Sequence, residues 1–517
     1  MSLSYPVAPE PAASHGASLK LFNSLTRSTE AFQPIDPMMA RLYSCGPTVY
    51  NFAHLGNLRA YVFTDTLRRT LNWKGWATTH VINITDVGHL TSDADVGDDK
   101  MEAAAAAQAR SIWEIAAFYT DAFKSDLAAL NILDPSLWSV ATDHIQDMIA
   151  FARILEERGS TYLLAGGLYF DTTTVPDYGR LAGARSDEAF GRITDVEGKR
   201  HPADFAIWRK SAPGADRQME WDSPWGRGAP GWHLECSVMS LKYLGSQFDI
   251  HTGGIDHREI HHCNEIAQNQ AFNETAASGA NIWMHNNFLV DRFGKMSKSK
   301  GGFATLAGLI ERGVHPLAYR LLCLSSHYRS ELEFSPDALS AALVRLKRLS
   351  LTFSQLKQQA GPLDWLGAIG EMEATRGASM AYQRKTIEQP LAARARNVID
   401  ALDRVISADL MTPQALPLLD EALTDKALAP EEKLRIAASF DLVLGLDLLT
   451  IDRRSLALRP ASASLSDDDI ELLIDERQRA RSEKDYARSD ALRDRLFDEG
   501  VDVMDGDALR WEWRPTL

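Results

Sequence analysis

A chain of 517 residues, 45% hydrophobic and 24% charged, is long enough for several domains, because single cores stop growing at roughly 250–300 residues. Its four cysteines are too few for a disulfide framework and fit a reducing cytosol, while a net charge of −15 excludes a generally basic nucleic-acid binder but leaves room for a local Lys/Arg surface. No apolar run reaches the roughly 18 uncharged residues of a membrane span; the best, Ile436 to Ile451, is broken by Asp441 and Asp447.

Residues 1–18 are rich in Pro, Ala and Ser and lack the basic start and apolar core of a signal peptide, so a disordered tail is expected there. Strands are expected at Leu19–Leu25 and Met39–Ser44, then a glycine-bearing turn, an amphipathic helix from Arg59 to Trp73 and a strand from Thr78 to Thr85. That order implies a right-handed βαβ unit in an α/β, Rossmann-like doubly wound parallel sheet. Ligands of such sheets lie beyond the carboxyl ends of the strands, where Cys45 and Thr85 fall. With an Ala-rich helix from Glu102 to Phe123, residues 19–133 form the first half of the sheet domain. Residues 134–204, carrying a helix at Thr142–Arg158 and short strands, read as an insertion. Residues 205–303 return to the sheet, with strands near Phe248–Thr252 and Ile282–Val290. Residues 304–345 read as a helical junction and 346–455 as a helical bundle with a loop near Asp364–Gly377. Residues 456–517 are a linker and a small C-terminal unit that begins near Asp467.

Three segments carry chemistry. The first, Cys45-Gly-Pro-Thr-Val-Tyr-Asn-Phe-Ala-His54-Leu-Gly56-Asn57, sits at a strand-to-helix junction. Gly56 lets a phosphate approach the backbone, the helix start offers N–H groups and positive dipole, and His54 adds a donor. The second, Gly294-Lys295-Met-Ser-Lys298-Ser-Lys-Gly-Gly302, sets closely spaced lysines among glycines, as suits a loop that closes over ATP phosphates. Taken singly, a histidine at a helix start is a cap and a Lys/Ser run is a solvated loop. The two in this order, a sheet-domain length apart, are the signature of class I aminoacyl-tRNA synthetases.

The third segment is Trp232-His-Leu-Glu-Cys236, then His251-Thr-Gly-Gly-Ile-Asp256, then His261-His-Cys-Asn-Glu265. On a helix His261 and Glu265 share a face. Cys263 lies about 200° round from His261 and points away. Thiolates from Cys45 and Cys236 would make the pair a zinc set with room for an added ligand, although the four are scattered and spacing alone does not assemble them. Cys263 and Cys323 are read as core packing.

From about Leu19 to Arg514 these residues resemble the cysteinyl-tRNA synthetases. The resemblance implies one zinc per chain on Cys45, Cys236, His261 and Glu265, and a substrate pocket around Thr85, Trp232 and His251. ATP with Mg²⁺ would meet His54, Gly56, Asn57 and Lys298, and His54, Asn57, Lys295 and Lys298 would be catalytic. The implied reaction joins L-cysteine to ATP as cysteinyl-adenylate and passes it to the 3′ end of tRNA(Cys), in a cytoplasmic monomer without membrane contact. A paralogous ligase joins cysteine to an amino sugar in mycothiol synthesis, but the extension from Lys347 to Leu517 favours tRNA. Intact His54, Gly56, Lys295 and Lys298 disfavour a non-catalytic synthetase-like tRNA-binding protein. The C-terminal unit resembles the family's anticodon-binding end, which offers Arg477, Arg481, Arg488, Trp511 and Trp513 to RNA. Three departures from the family stand out: a longer acidic stretch between Val87 and Lys100, Cys263 where the family usually has Glu or sometimes Thr, and Lys300-Gly-Gly after the second motif.

Overall fold

A computed structural model describes residues 16–87, 101, 104–105, 108, 110–183, 196–212, 214, 217–291, 294–295, 305–366 and 380–517. The expected tail lies outside it except for residues 16–18, as does most of the acidic stretch.

A short hairpin, β1 (Lys20–Asn23) and β2 (Ser28–Ala31), precedes β3 (Met39–Ser44). Helix α1 (Leu55–Trp73) follows, then β4 (Ala77–Ile84), α2 (Ile112–Ala129) and β5 (Leu137–Val140). After an inserted region come α4 (Trp232–Leu244), β10 (Phe248–Gly254), α5 (His261–Asn273) and β11 (Ala280–Asn286). Five strands pair in the order β11-β10-β3-β4-β5, all parallel. The chain leaves β3 toward β4 on one side and returns through β10 to β11 on the other. Its switch point is therefore the β3/β10 pair, where a crevice opens beyond the carboxyl ends.

The expected insertion differs at both ends. Leu137–Val140 pairs with β4 as the edge of the parallel sheet. The inserted part begins with α3 (Ile145–Glu157). A four-stranded antiparallel sheet follows it, formed by β6 (Thr161–Leu164), β7 (Gly167–Phe170), β8 (Phe205–Lys210) and β9 (Gly228–Pro230). Phe205–Lys210 thus belongs to the insertion, because it pairs antiparallel with β7 rather than with the parallel sheet. A continuous apolar run reads alike in either sheet.

Beyond the sheet, β12 (Leu289–Asp291) and β13 (Gly294–Lys295) form a hairpin, and β14 (Leu332–Glu333) pairs parallel with β12. The helices α6 (Leu306–Ile310) and α7 (Pro316–Leu324) make the junction. The bundle holds α8 (Pro336–Ala360), α9 (Met380–Glu388), α10 (Ala393–Ile406), α11 (Thr412–Thr424) and α12 (Pro430–Leu444). One apolar core runs from α1 and α2 through α7 and α8 to α12, so the bundle packs directly on the first half of the sheet domain. Inside this contact Asp65 of α1 is bonded by Arg69 and by Arg320 of α7. Arg320 is fully buried and also donates to the carbonyls of Leu130, Asn131 and Leu444.

The last unit has its own small core of Ile470, Leu473, Ile474, Leu496, Val501 and Trp513. It is built from α13 (Asp467–Ser482), α14 (Tyr486–Asp498) and the β15 (Val501–Val503)–β16 (Trp511–Trp513) hairpin. Among the described residues no helix is long and apolar enough to cross a membrane.

Candidate active site and metal centre

An open cleft of about 320 Å³ lies beyond the carboxyl ends at the switch point. Cys45, Cys236 and His261 line it together with His54, Gly56 and Asn57, so the thiol-bearing set and the first motif face one space. Thr85 and Trp232 line it as well.

Helix α1 begins earlier than periodicity suggests, at Leu55, because His54 caps it. His54 Nδ1 accepts the backbone N–H of Asn57 at 3.1 Å, and Asn57 Oδ1 accepts the N–H of His54 at 3.3 Å. With Nδ1 an acceptor, the neutral ring carries its proton on Nε2 and offers a donor. Gly56 leaves room for this turn: a Cβ there would lie 3.0 Å from both Cε1 and Nδ1 of His54 and press on the capping ring. Lys295 lies in β13, where its backbone pairs with Val290. Lys298 lies outside the described residues.

The metal-type donors come from three elements. Cys45 follows β3, Cys236 is in the second turn of α4, and His261 and Glu265 are one turn apart at the start of α5. One donor atom from each lies within 4.8 Å of all the others. His261 Nε2 is 3.1 Å from Glu265 Oε1, and its Nδ1 is 2.9 Å from His233 Nδ1, which orients the ring. His251 is fully buried on β10, with Nε2 2.9 Å from Glu265 Oε2, and so holds the other carboxylate oxygen. A second grouping, Cys45, His251, His262 and Glu265, is as compact. Its His262 likewise has Nδ1 2.8 Å from a second histidine, His285, and Nε2 3.3 Å from Cys45 Sγ, but of that set Cys45 alone lines the cleft, whereas three members of the first set do.

The electrostatics of the first set suit a cation. A hydrogen bond from Cys45 holds the Cys236 thiol down at about 6 against its burial, with His261 assisting. Burial pushes the Cys45 thiol well up, and its hydrogen bond to Cys236 adds to this. Burial opposes charge on His261, yet Cys236 and Glu265 raise it to about 10. Burial likewise opposes charge on Glu265, but His251 and His261 hold it down at about 2. A buried thiolate and carboxylate converging with an imidazole are the chemistry that a thiophilic divalent ion satisfies; these residues could hold a metal ion.

Cys263 faces elsewhere, its Sγ 3.3 Å from the Arg258 carbonyl. Cys323 is buried in the main core, and burial raises its thiol to about 11.

Several residues that spacing did not single out complete the site. Asn83 on β4 accepts the Gly46 N–H at 2.7 Å and donates to Thr85 Oγ1 at 3.0 Å. Thr85 Oγ1 in turn lies 3.0 Å from Glu235 Oε2. Burial, with Cys236 beside it, raises the Glu235 carboxyl well above its ordinary value. Asp256 and His257, in a single helical turn after β10, also line the cleft. Asn83 and Asp256 stand within the strings Asn-Ile-Thr-Asp and Gly-Gly-Ile-Asp, but only the fold shows that those strings converge.

Of the residues offered to RNA, Arg477 is buried and bonds Asp505 through both terminal nitrogens at 2.6 and 2.9 Å. Trp513 is buried in the unit's core, and Trp511 is half-buried with its N–H 2.8 Å from Glu471. The face that the tryptophans share is thus turned inward. Arg481 and Arg488 remain on the surface, paired with Asp505 and Glu476.

Residues 31–344 match the tRNA synthetases class I (C) catalytic domain. The chain is 64% identical to a cysteine–tRNA ligase of Zymomonas mobilis subsp. mobilis, with 97% of this chain and 99% of that one covered. It is 57% identical to a cysteine–tRNA ligase of Novosphingobium aromaticivorans, covering 98% and 99%. The structure resembles Mycobacterium tuberculosis methionyl-tRNA synthetase with a TM-score of 0.51 at 14% identity, over 79% of this chain and 90% of that one, a likeness of fold alone. The match over most of the sheet domain, and the identity along nearly the whole length, place this chain in the cysteine–tRNA ligase family of class I synthetases.

Proposed function

We propose that the chain activates L-cysteine with ATP to cysteinyl-adenylate and transfers the cysteinyl group to the 3′-terminal adenosine of tRNA(Cys), in the cytoplasm and as a monomer. The observation that carries this reading is the single cleft shared by Cys45, Cys236 and His261 with His54, Gly56 and Asn57. Cys45, Cys236, His261 and Glu265 would hold one zinc ion, which when bound favours a thiolate over a hydroxyl and so separates cysteine from serine. Trp232 and Thr85 shape the floor beside those thiols, and the Glu235 and Asn83 contacts fix the Thr85 hydroxyl. The carboxylate of cysteine is then directed toward the α1 end of the cleft. There His54 Nε2–H and the open N–H groups of the helix start donate to ATP phosphates as charge develops. Lys295 and Lys298 add positive charge, and Mg²⁺ accompanies the nucleotide. No side-chain nucleophile is required, because the substrate carboxylate and later the ribose hydroxyl attack.

Cysteine-dependent ATP–pyrophosphate exchange followed by charging of cysteine tRNA tests the reading. Exchange with cysteine but not serine, and cysteinyl-tRNA as product, is expected. Exchange without tRNA charging would favour the amino-sugar ligase, and no exchange would defeat both.

A further inference from the structure

Arg59 lies one turn into α1, two residues past Asn57, and is 2% exposed. Its guanidinium is committed to main-chain carbonyls. Nη1 donates to Asn287 at 2.8 Å and to Phe288, and Nη2 to Ser330 at 2.6 Å and His327 at 3.4 Å. These carbonyls belong to two segments that run side by side. Asn287 N–H donates to the Tyr328 carbonyl at 2.8 Å, Leu332 N–H to Phe288 at 3.0 Å, and Phe334 N–H to Val290 at 2.7 Å. The first segment leads straight into β12 and β13, and so to Lys295.

Other contacts seat the same region on the first motif. A Cβ at Gly56 would lie 3.8 Å from Leu289 Cβ. Thr305, the first described residue after the second motif, pairs with His54 through a backbone bridge and caps α6. Both approaches to the lysine-bearing segment therefore rest on the turn that carries His54, and Arg59 is the buried side chain that gathers one of them.

We propose that Arg59 is a positioning residue for adenylate formation: it fixes the strand leading into Lys295 relative to His54, so that the two motifs meet one ATP. This rests on the function proposed above. A planar guanidinium can reach carbonyls of both segments at once, whereas an ammonium is a point donor that cannot span them. The second segment has independent anchors, with Tyr328 OH 2.7 Å and Arg329 Nε 2.8 Å from Asp409. Loss of Arg59 should therefore shift the entering strand without undoing the fold.

The test uses full-length Arg59→Met and Arg59→Lys. Metal content is read by elemental analysis, cysteine binding by calorimetry without ATP, and kcat and KM by ATP–pyrophosphate exchange. For R59M, kcat should fall on the order of 10²-fold, the scale of an ångström-sized misplacement. Metal content and cysteine affinity should stay within about twofold of the parent, as for a residue acting only on the transition state. R59K should recover part of the kcat loss. Folded R59M with parental kcat overturns the proposal, as does a loss of metal and cysteine binding in step with kcat. If R59M fails to fold, R59K decides: reduced kcat with intact metal and cysteine binding supports the role, and parental kcat overturns it. A parent chain without cysteine-dependent exchange would instead defeat the proposed function.

Discussion

His54 and Asn57 lock each other: the imidazole Nδ1 takes the Asn57 N–H, and the Asn57 side chain takes the His54 N–H. One contact thus caps α1 and fixes which ring nitrogen carries the proton. The two roles can be separated. His54→Asn supplies a good N-cap and should leave the melting temperature nearly unchanged. It removes the ring donor, so kcat for exchange should fall by about 10²–10³-fold, as for loss of a preorganised donor. If melting temperature and kcat fell together in proportion to lost folded protein, the histidine would be only a cap.

Cys236 and Cys263 are both buried cysteines near α5, yet only Cys236 converges with Cys45, His261 and Glu265. Cys236→Ser should lose bound zinc while Cys263→Ser keeps about one equivalent, measured by elemental analysis after dialysis. Equal loss from both variants would mean that α5 presents a different face to the metal.

The βαβ unit at β3-α1-β4 was legible in the sequence because a strand, a glycine turn and a long amphipathic helix have distinct periods. The donor set was legible only in part. His261 and Glu265 follow from helical spacing, but Cys45 and Cys236 lie on other elements, and their place rested on resemblance. The start of α1 was missed by one turn because His is not a usual N-cap. The insertion boundary was missed because β8 reads as a buried strand in either sheet. Trp511 and Trp513 alternate along β16 and so share a face, but alternation cannot say whether that face meets solvent or core, and Trp513 belongs to the core with Ile470 and Leu473.

The Asp65–Arg320 contact makes a pH prediction. Burial opposes charge on Asp65, but Arg69, Arg320 and the Leu133 N–H hold its carboxyl down at about 2, from an ordinary 3.8. A depressed folded value means that the folded state binds fewer protons near pH 3. The stabilisation is therefore complete above 3.8 and is lost as pH falls toward 2. Asp441 acts in the opposite sense: burial raises it to about 6, so its ionisation costs stability as pH rises through that range. Asp65→Asn should lower stability at pH 7 by about 3–5 kcal/mol, since it leaves a buried guanidinium unpaired, and should flatten the acid limb between pH 4 and 2. Urea unfolding across that range measures both. An unchanged midpoint at pH 7 would show that the carbonyls around Arg320 suffice without Asp65.

The C-terminal unit separates a buried arginine that holds structure from arginines paired on its surface. Arg477 reaches Asp505 through two hydrogen bonds from a buried position, whereas Arg481 and Arg488 stand on the surface around the α13–α14 turn. Surface ion pairs contribute at most about 1 kcal/mol, so exchanging Asp505 or Glu476 for a phosphate costs little. Arg481→Ala with Arg488→Ala should therefore leave cysteine-dependent exchange and melting temperature unchanged. The double variant should weaken tRNA binding and reduce the salt dependence of kcat/KM for tRNA charging. Arg477→Ala should do the reverse, destabilising the unit by on the order of 1.5 kcal/mol through loss of charge-assisted hydrogen bonds. Charging kinetics at two salt concentrations, alongside thermal melts of all variants, distinguish the cases. Unaltered charging and salt slope in the double variant would show that these two arginines do not meet the tRNA.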